Sequence, residues 1–343
     1  MLLQFTALQL PTDSPGWLAI AIQLAIGFIL LAKGADWLVS GSSRIAQRMG
    51  VSVFVIGLTV VAWGTSAPEV VVSAVAAYEG NSAISLGNVL GSNIANLGLV
   101  LGASALVLPR VLDTSFQARD LFTFFGSLGI LWFFALDGAL SRVECGVMLG
   151  LYGLYTLSLL LSRNTEAVED LPKSNSRLPA WFEASLGFAA VLGGAQLTLA
   201  GATGGAERLG IDERVVGLTI VAIGTSLPEL AASLGSAFKG ETELSLGNVV
   251  GSNVFNLIAV LGIVGLVRPL EMQAMPDVAA QDELRIAFQG ALGMDFYVVL
   301  GFSVASVLMI WLGGSKAGRL KGLALLGAYV AYSVLLFMKT EAP

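Results

Sequence analysis

Long apolar runs, broken by short clusters of glycine, proline and charge, occupy most of the chain. One set falls near residues 18–42, 51–79, 82–108, 120–137 and 143–163. A second falls near 179–206, 214–239, 244–267, 294–314 and 321–338. Each is long enough for a helix to cross a hydrocarbon core of about 30 Å, which takes about 20 mostly apolar residues. A spanning barrel would instead alternate polar and apolar residues over strands of about ten residues, whereas these runs are continuous and rich in Gly, Ala and Leu. The pattern predicts an all-α polytopic membrane protein with ten transmembrane helices. The most polar stretch, from Asn164 to Arg177, contains Glu166, Glu169, Asp170, Pro172 and Lys173 and separates the two sets. Residues 1–163 and 179–343 are thus read as two five-helix units joined by a linker at 164–178.

Composition narrows the chemistry. Of 343 residues, 55% are hydrophobic and 12% charged, against about 25% charged in soluble domains, and the mean hydropathy is +0.81. A water-soluble enzyme is excluded. Cys145 is the one cysteine and histidine is absent, so no intrachain disulfide, thiol-based metal site or imidazole base is available. Any chemistry rests on carboxylates, hydroxyls and amides. The net charge of −6 is spread over short loops without a basic run, which gives no nucleic-acid surface. Met1 to Trp17 lacks a basic residue and holds two prolines, so it does not read as a cleaved signal peptide. Lys and Arg favour alternate loops, including Arg44, Arg48, Arg110, Arg119 and Arg163. Because cytoplasmic loops are enriched in these residues, both termini are expected outside and the linker in the cytoplasm.

The two halves share an internal repeat. GLTVVAWGTSAPE from Gly57 recurs as GLTIVAIGTSLPE from Gly217, and SLGNVLGSNIANL from Ser85 recurs as SLGNVVGSNVFNL from Ser245. Without a gap, 26 of the 46 positions from Gly57 to Gly102 are identical at a displacement of 160. Five spans per copy is an odd number, so the second copy enters the membrane from the opposite side. The two are then inverted repeats, a plan in which transporters place their substrate site near the midplane between the copies.

Each copy carries an acidic residue in mid-span, Glu69 and Glu229, where an ionisable group costs about 2.5–3.5 kcal/mol on insertion scales. Pro68 and Pro228 just before them lack an amide hydrogen and should break or kink the helix. The carbonyls of Ala62, Thr65, Ala222 and Thr225 would then lose their partners, and freed carbonyls at this depth are tolerated where they line a cavity or bind a cation. In the following spans Ser92 and Asn96, and likewise Ser252 and Asn256, are four apart and share one helical face. These are expected to face the site, while Asn88, Asn93, Asn248 and Asn253 are expected to pack or cap.

Two carboxylates with hydroxyl, amide and backbone oxygens make a hard, all-oxygen site. It suits Ca2+, which takes about six to eight oxygens, better than metals that prefer His and Cys. One Ca2+ neutralises two ionised Glu, and two or three Na+ could do so alternatively. An empty site would leave unpaired charges in a low dielectric, which gives exchange a physical basis. Protons should compete for the same oxygens.

The doubled GTSxPE and GNVxGSN motifs resemble the alpha repeats of the cation/Ca2+ exchanger superfamily, most of all its prokaryotic sodium/calcium exchanger branch. The resemblance covers nearly the whole chain. It implies an antiporter of a prokaryotic inner membrane that exchanges Na+ for Ca2+, three for one, by alternating access, with the lipid bilayer as its setting and no cofactor. No protein partner is inferred. On the matching positions, Glu69 and Glu229 would bind Ca2+ with the Thr65 and Thr225 carbonyls. Na+ would use the same carboxylates with Ser66, Ser226, Ser92, Ser252 and the Ala62 and Ala222 carbonyls, and Asn96 and Asn256 would line the centre. Some relatives have Asp where Asn256 stands, which weakens the case for K+ cotransport here.

Other features remain. Lys33 and Asp36, three apart in the first span, are expected to form a structural ion pair. The first and sixth spans, with Gly34, Gly41, Gly193 and Gly194, are assigned as the moving gate by resemblance. Glu271, Asp277, Asp282 and Glu283 read as a solvated acidic loop. The alternatives are Ca2+/H+ exchange within the transport class and a cation channel outside it. An intramembrane hydrolase would need an activated nucleophile, for which the repeated motif offers no His and no Ser-Lys pair.

Overall fold

The computed structural model describes residues 16–113, 118–161, 178–209, 222–271, 291–312 and 317–340. Its helices are α1 (Trp17–Met49), α2 (Val53–Thr65), α3 (Ala67–Tyr78), α4 (Ser82–Val107), α5 (Ala118–Phe134) and α6 (Arg142–Leu161). They continue with α7 (Ala180–Arg208), α8 (Ala222–Thr225), α9 (Leu227–Phe238), α10 (Thr242–Val267), α11 (Phe296–Trp311) and α12 (Gly318–Thr340). Among the described residues eight helices are long and apolar enough to cross a membrane, or nine if α2 and α3, bent by 47°, count as one broken span. The span expected at 214–239 is described only over α8 and α9, and the linker lies outside the described residues apart from Leu178. The acidic segment lies outside them too, except for the backbone of Glu271.

The two helices that carry GNVxGSN form the centre. In its most apolar stretch α10 is 89% buried and α4 78%, against 17% for α12. Leu86, Leu90, Ile94 and Leu97 of α4 and Leu246, Val249, Leu257 and Leu261 of α10 are the buried apolar residues around them. On outer helices large apolar side chains stand exposed, among them Leu154 and Leu161 of α6. A bilayer solvates such a surface, so it carries none of the penalty it would meet in water.

Packing between the halves is reciprocal. Gly102 of α4 lies against Gly322 and Leu326 of α12, and Gly262 of α10 lies against Cys145 and Leu149 of α6. Each central helix therefore packs on the last helix of the other half. A short antiparallel strand pair joins them again, β1 (Ala139–Leu140) with β2 (Leu270–Glu271). The helices α1 and α7 run along each other with glycines seven apart on both: Gly27 faces Gly194, Gly34 faces Gly187, Gly41 faces Ala184, and Gly201 faces Leu24. A β-carbon at Gly41 would fall 2.4 Å from the Ala184 nitrogen. This is the small-residue packing that lets membrane helices approach closely.

Asp36 does not pair with Lys33 as expected. It meets Lys239 Nζ, just past α9, at 2.7 Å, and Lys239 also donates to Ser40 Oγ at 2.6 Å. A neighbour in space outcompeted the neighbour in sequence, because α9 packs against α1 and ends where Asp36 is within reach.

Candidate functional site

The chain breaks at the same place in both copies. Ser66 (φ −85°, ψ 11°) and Ser226 (φ −89°, ψ 5°) leave the helical region, and α3 and α9 restart immediately after them, with Pro68 and Pro228 in the first turn. Proline fits there because those amide groups have no intrahelical acceptor. Glu69 and Glu229 are thereby the third residues of helices that begin inside the protein. Each carboxylate thus sits in the first turn of its helix, at the end where the dipole favours negative charge.

Both carboxylates are fully buried. Ser66 Oγ donates to Glu229 Oε1 at 2.9 Å, and Ser92 Oγ donates to Glu69 Oε1 at 3.3 Å. Thr65 Oγ1 donates to Asn248 Oδ1 at 3.3 Å. The expected packing asparagines hold the site from behind. Asn88 Nδ2 donates to Ser73 Oγ at 2.9 Å and to the Glu69 carbonyl at 3.5 Å. Asn248 Nδ2 repeats this with Ser233 Oγ at 2.9 Å and the Glu229 carbonyl at 3.3 Å. Ser73 and Ser233 were not singled out from sequence, although both stand at matching positions of the repeat. Asn253 Nδ2 donates to the Val249 carbonyl one turn back in its own helix at 2.7 Å, whereas both side-chain polar atoms of Asn93 are buried without a partner among the described residues.

The remaining candidates lie close by on the same elements. Asn96 opens a π-helical turn, Asn96–Val100, in α4, and Asn256 lies in the matching turn, Phe255–Val260, of α10. Such turns widen a helix locally and are frequent at functional sites. Ser226, Ser252, Asn96 and Asn256 are buried, while Thr225 ends α8 and Ala222 begins it. Among the described residues, six side-chain oxygens of the candidates are buried without a hydrogen-bond partner: Glu69 Oε2, Glu229 Oε2, Ser226 Oγ, Ser252 Oγ, Asn96 Oδ1 and Asn256 Oδ1. Unpaired buried oxygens are costly, and this set matches the donors a hard cation takes.

One expectation needs correction. The Ala62 carbonyl is not freed by the kink, since the Ser66 N–H reaches it at 3.0 Å and Thr65 Oγ1 lies 3.5 Å from it. Pro68 withholds its donor from the residue four positions earlier, which is Gly64.

The sodium/calcium exchanger protein family matches residues 19–161 and 180–338, nearly all of both halves. The chain belongs to that family. It is 38% identical over 333 residues to the putative antiporter CaxA of Alkalimonas amylolytica, covering 93% of this chain and 99% of that one. It is 33% identical over 357 residues to the sodium/calcium exchanger MaX1 of Methanosarcina acetivorans, covering 92% and 97%. The solved sodium-calcium exchanger NCX_Mj, soaked with Na+ and Sr2+, superposes with a TM-score of 0.73 at 32% identity, over 92% of this chain and 98% of that one. The protein is an integral membrane antiporter of the exchanger family, and the buried carboxylate pair lies within the matched segments.

Proposed function

We propose that this antiporter exchanges Na+ for Ca2+ by alternating access through one all-oxygen site near the membrane midplane. The observation that carries the reading is the set of six unpaired oxygens on repeat-matched residues around two buried carboxylates. In this reading the chain has ten transmembrane helices in two inverted five-helix repeats, with both termini outside the inner membrane of a prokaryote. Ca2+ is held by Glu69 and Glu229 with the Thr65 and Thr225 carbonyls. Na+ uses the same carboxylates with Ser66, Ser226, Ser92 and Ser252 and the Ala222 carbonyl, and Asn96 and Asn256 line the centre.

The mechanism follows from charge. Two ionised Glu give the site −2, which one Ca2+ neutralises. Ions of either kind compete for the same oxygens, and an ion-free site leaves two charges in a low dielectric. The protein therefore changes its open side most readily when loaded, and flux of one ion is tied to counterflux of the other. The hydroxyls of Ser66 and Ser92 hold the carboxylates in place meanwhile, and the ends of α3 and α9 supply fixed positive potential.

The deciding experiment is uptake of radiolabelled Ca2+ into proteoliposomes loaded with Na+ and diluted into Na+-free buffer, beside Glu69→Gln and Glu229→Gln. Uptake that needs the outward Na+ gradient and is lost in both variants supports the reading. Uptake driven equally by a pH gradient with K+ inside moves the protein to Ca2+/H+ exchange, and Ca2+ flux without a counterion makes it a channel.

A further inference from the structure

The last two helices of each half contain a second repeat that the main motifs do not touch. Tyr152-Gly-Leu-Tyr155-Thr156 of α6 recurs as Tyr329-Val-Ala-Tyr332-Ser333 of α12, 177 positions later. In both copies the outer tyrosine donates to an aspartate near the start of the preceding helix. Tyr332 OH reaches Asp295 Oδ1 at 2.9 Å, and Tyr155 OH reaches Asp120 Oδ1 at 3.5 Å. In the ten-span plan these two pairs lie at opposite membrane faces.

The inner tyrosine of each pair, three positions earlier and so on the same helical face, rests on a π turn of the opposite half. The ring of Tyr152 meets that of Phe255 edge-on, with centroids 5.6 Å apart, and Phe255 immediately precedes Asn256. Tyr329 lies so close to Gly98 that a β-carbon there would fall 2.7 Å from the Tyr329 β-carbon, and Gly98 stands two residues after Asn96. On the first side the Tyr152 hydroxyl also accepts from Trp63 Nε1, next to Ala62. The matching position on the second side is Ile223, which has no such donor.

We infer that Tyr152 and Tyr329 are positioning residues for the ion site, each setting one central asparagine through the opposite half's π turn. The Asp120–Tyr155 and Asp295–Tyr332 bonds fix the rotation of the helices that carry them. A π turn replaces the i→i+4 bonds of the helix around it with i→i+5 bonds, so the direction of its side chains depends on what packs against it. Tyr152 sets Asn256, and Tyr329 sets Asn96. The inference rests on the ion-site reading above.

The pairing predicts a specific pattern of coupling. The apparent KM for Ca2+ is measured in Na+-driven uptake for Tyr152→Leu, Tyr329→Leu, Asn96→Ala, Asn256→Ala and the four tyrosine–asparagine doubles. Tyr329→Leu with Asn96→Ala, and Tyr152→Leu with Asn256→Ala, should depart from additivity by about threefold or more, the scale of coupling between residues that share contacts. The crossed doubles should add. Tyr332→Phe should raise the KM in the same direction as Tyr329→Leu while changing kcat little. If a variant transports too slowly to measure, the Ca2+-dependent shift in Tm of the purified protein gives the same cycles. Additivity in all four doubles, or a fall in kcat with KM unchanged, would overturn the inference. A wild-type protein that responds to neither Na+ nor Ca2+ in transport and melting overturns the proposed function, and this inference with it.

Discussion

Ser66, in the first copy of the GTSxPE motif, donates its hydroxyl hydrogen to Glu229 of the second copy at 2.9 Å, across 163 positions of sequence. The bond joins the two halves at the site, since Glu229 is held by a motif serine of the first half, whereas Glu69 is held by Ser92 of its own half. A hydrogen bond to a charged group contributes about 1.5–3 kcal/mol, so Ser66→Ala should weaken apparent Ca2+ affinity by about tenfold. The Ca2+ dependence of uptake into Na+-loaded vesicles measures it, and an unchanged dependence would show that the bond has no part in ion binding.

Acidification should inhibit transport. Glu69 and Glu229 supply the whole negative charge of the site and are shut off from water. Each proton bound there removes one charge that a cation needs, so uptake falls as pH falls. Because proton and metal contend for the same oxygens, the loss should appear as a higher KM for Ca2+ and be relieved by more Ca2+. Uptake rates measured over a pH series at low and saturating Ca2+ check both parts.

Lys239 ties α1 to the end of the half-helix whose first turn carries Glu229. It contacts the Asp36 carboxylate at 2.7 Å, the Asp36 carbonyl at 2.7 Å and Ser40 Oγ at 2.6 Å. A partly exposed pair of this kind is worth little to stability, typically below about 1 kcal/mol, so Lys239→Asp should leave Tm nearly unchanged. Its effect should fall on turnover, because α1 also carries the glycines that face α7. Exchange rates of Lys239→Asp, Asp36→Lys and the double reversal decide the point: the singles should be slower, and the double should recover.

The hydropathy pattern pointed to the eight helices that are long and apolar enough to cross a membrane among the described residues, and the gapless repeat pointed to Glu69 and Glu229, which the structure buries. Both signals are local or strictly periodic. The π turns at Asn96 and Asn256 left no such trace, because a one-residue change in hydrogen-bond register alters no side-chain chemistry. The Tyr-x-x-Tyr repeat was hidden by spacing. A longer stretch follows α10 than follows α4, so the displacement of 160 grows to 177 and an ungapped comparison passes over it. Lys239 and Asp36 stand 203 positions apart, and nothing in either segment names the other. The Ala62 carbonyl was misjudged because the sequence tells that Pro68 withholds a donor but not which acceptor a broken helix then re-pairs.

The interface of α10 with α6 offers a test of how tightly the halves are fitted. A β-carbon at Gly265 would fall 2.1 Å from Cys145 Sγ, and the next nearest atom is the Cys145 β-carbon at 3.1 Å. The obstacle is thus one side-chain atom. Overpacking of this sort costs about 1–3 kcal/mol, so Gly265→Ala should lower Tm. Removing the sulfur with Cys145→Ala makes room for the added methyl, and the double variant should regain most of the loss. At Gly251 the obstacle is different: a β-carbon there would lie 2.5 Å from the α-carbon of Leu58. Backbone cannot be trimmed by substitution, so Gly251→Ala should stay destabilised whatever replaces the Leu58 side chain. Melting curves of the purified variants separate the two cases, and recovery of Gly251→Ala by Leu58→Ala would show that the helices there are free to part.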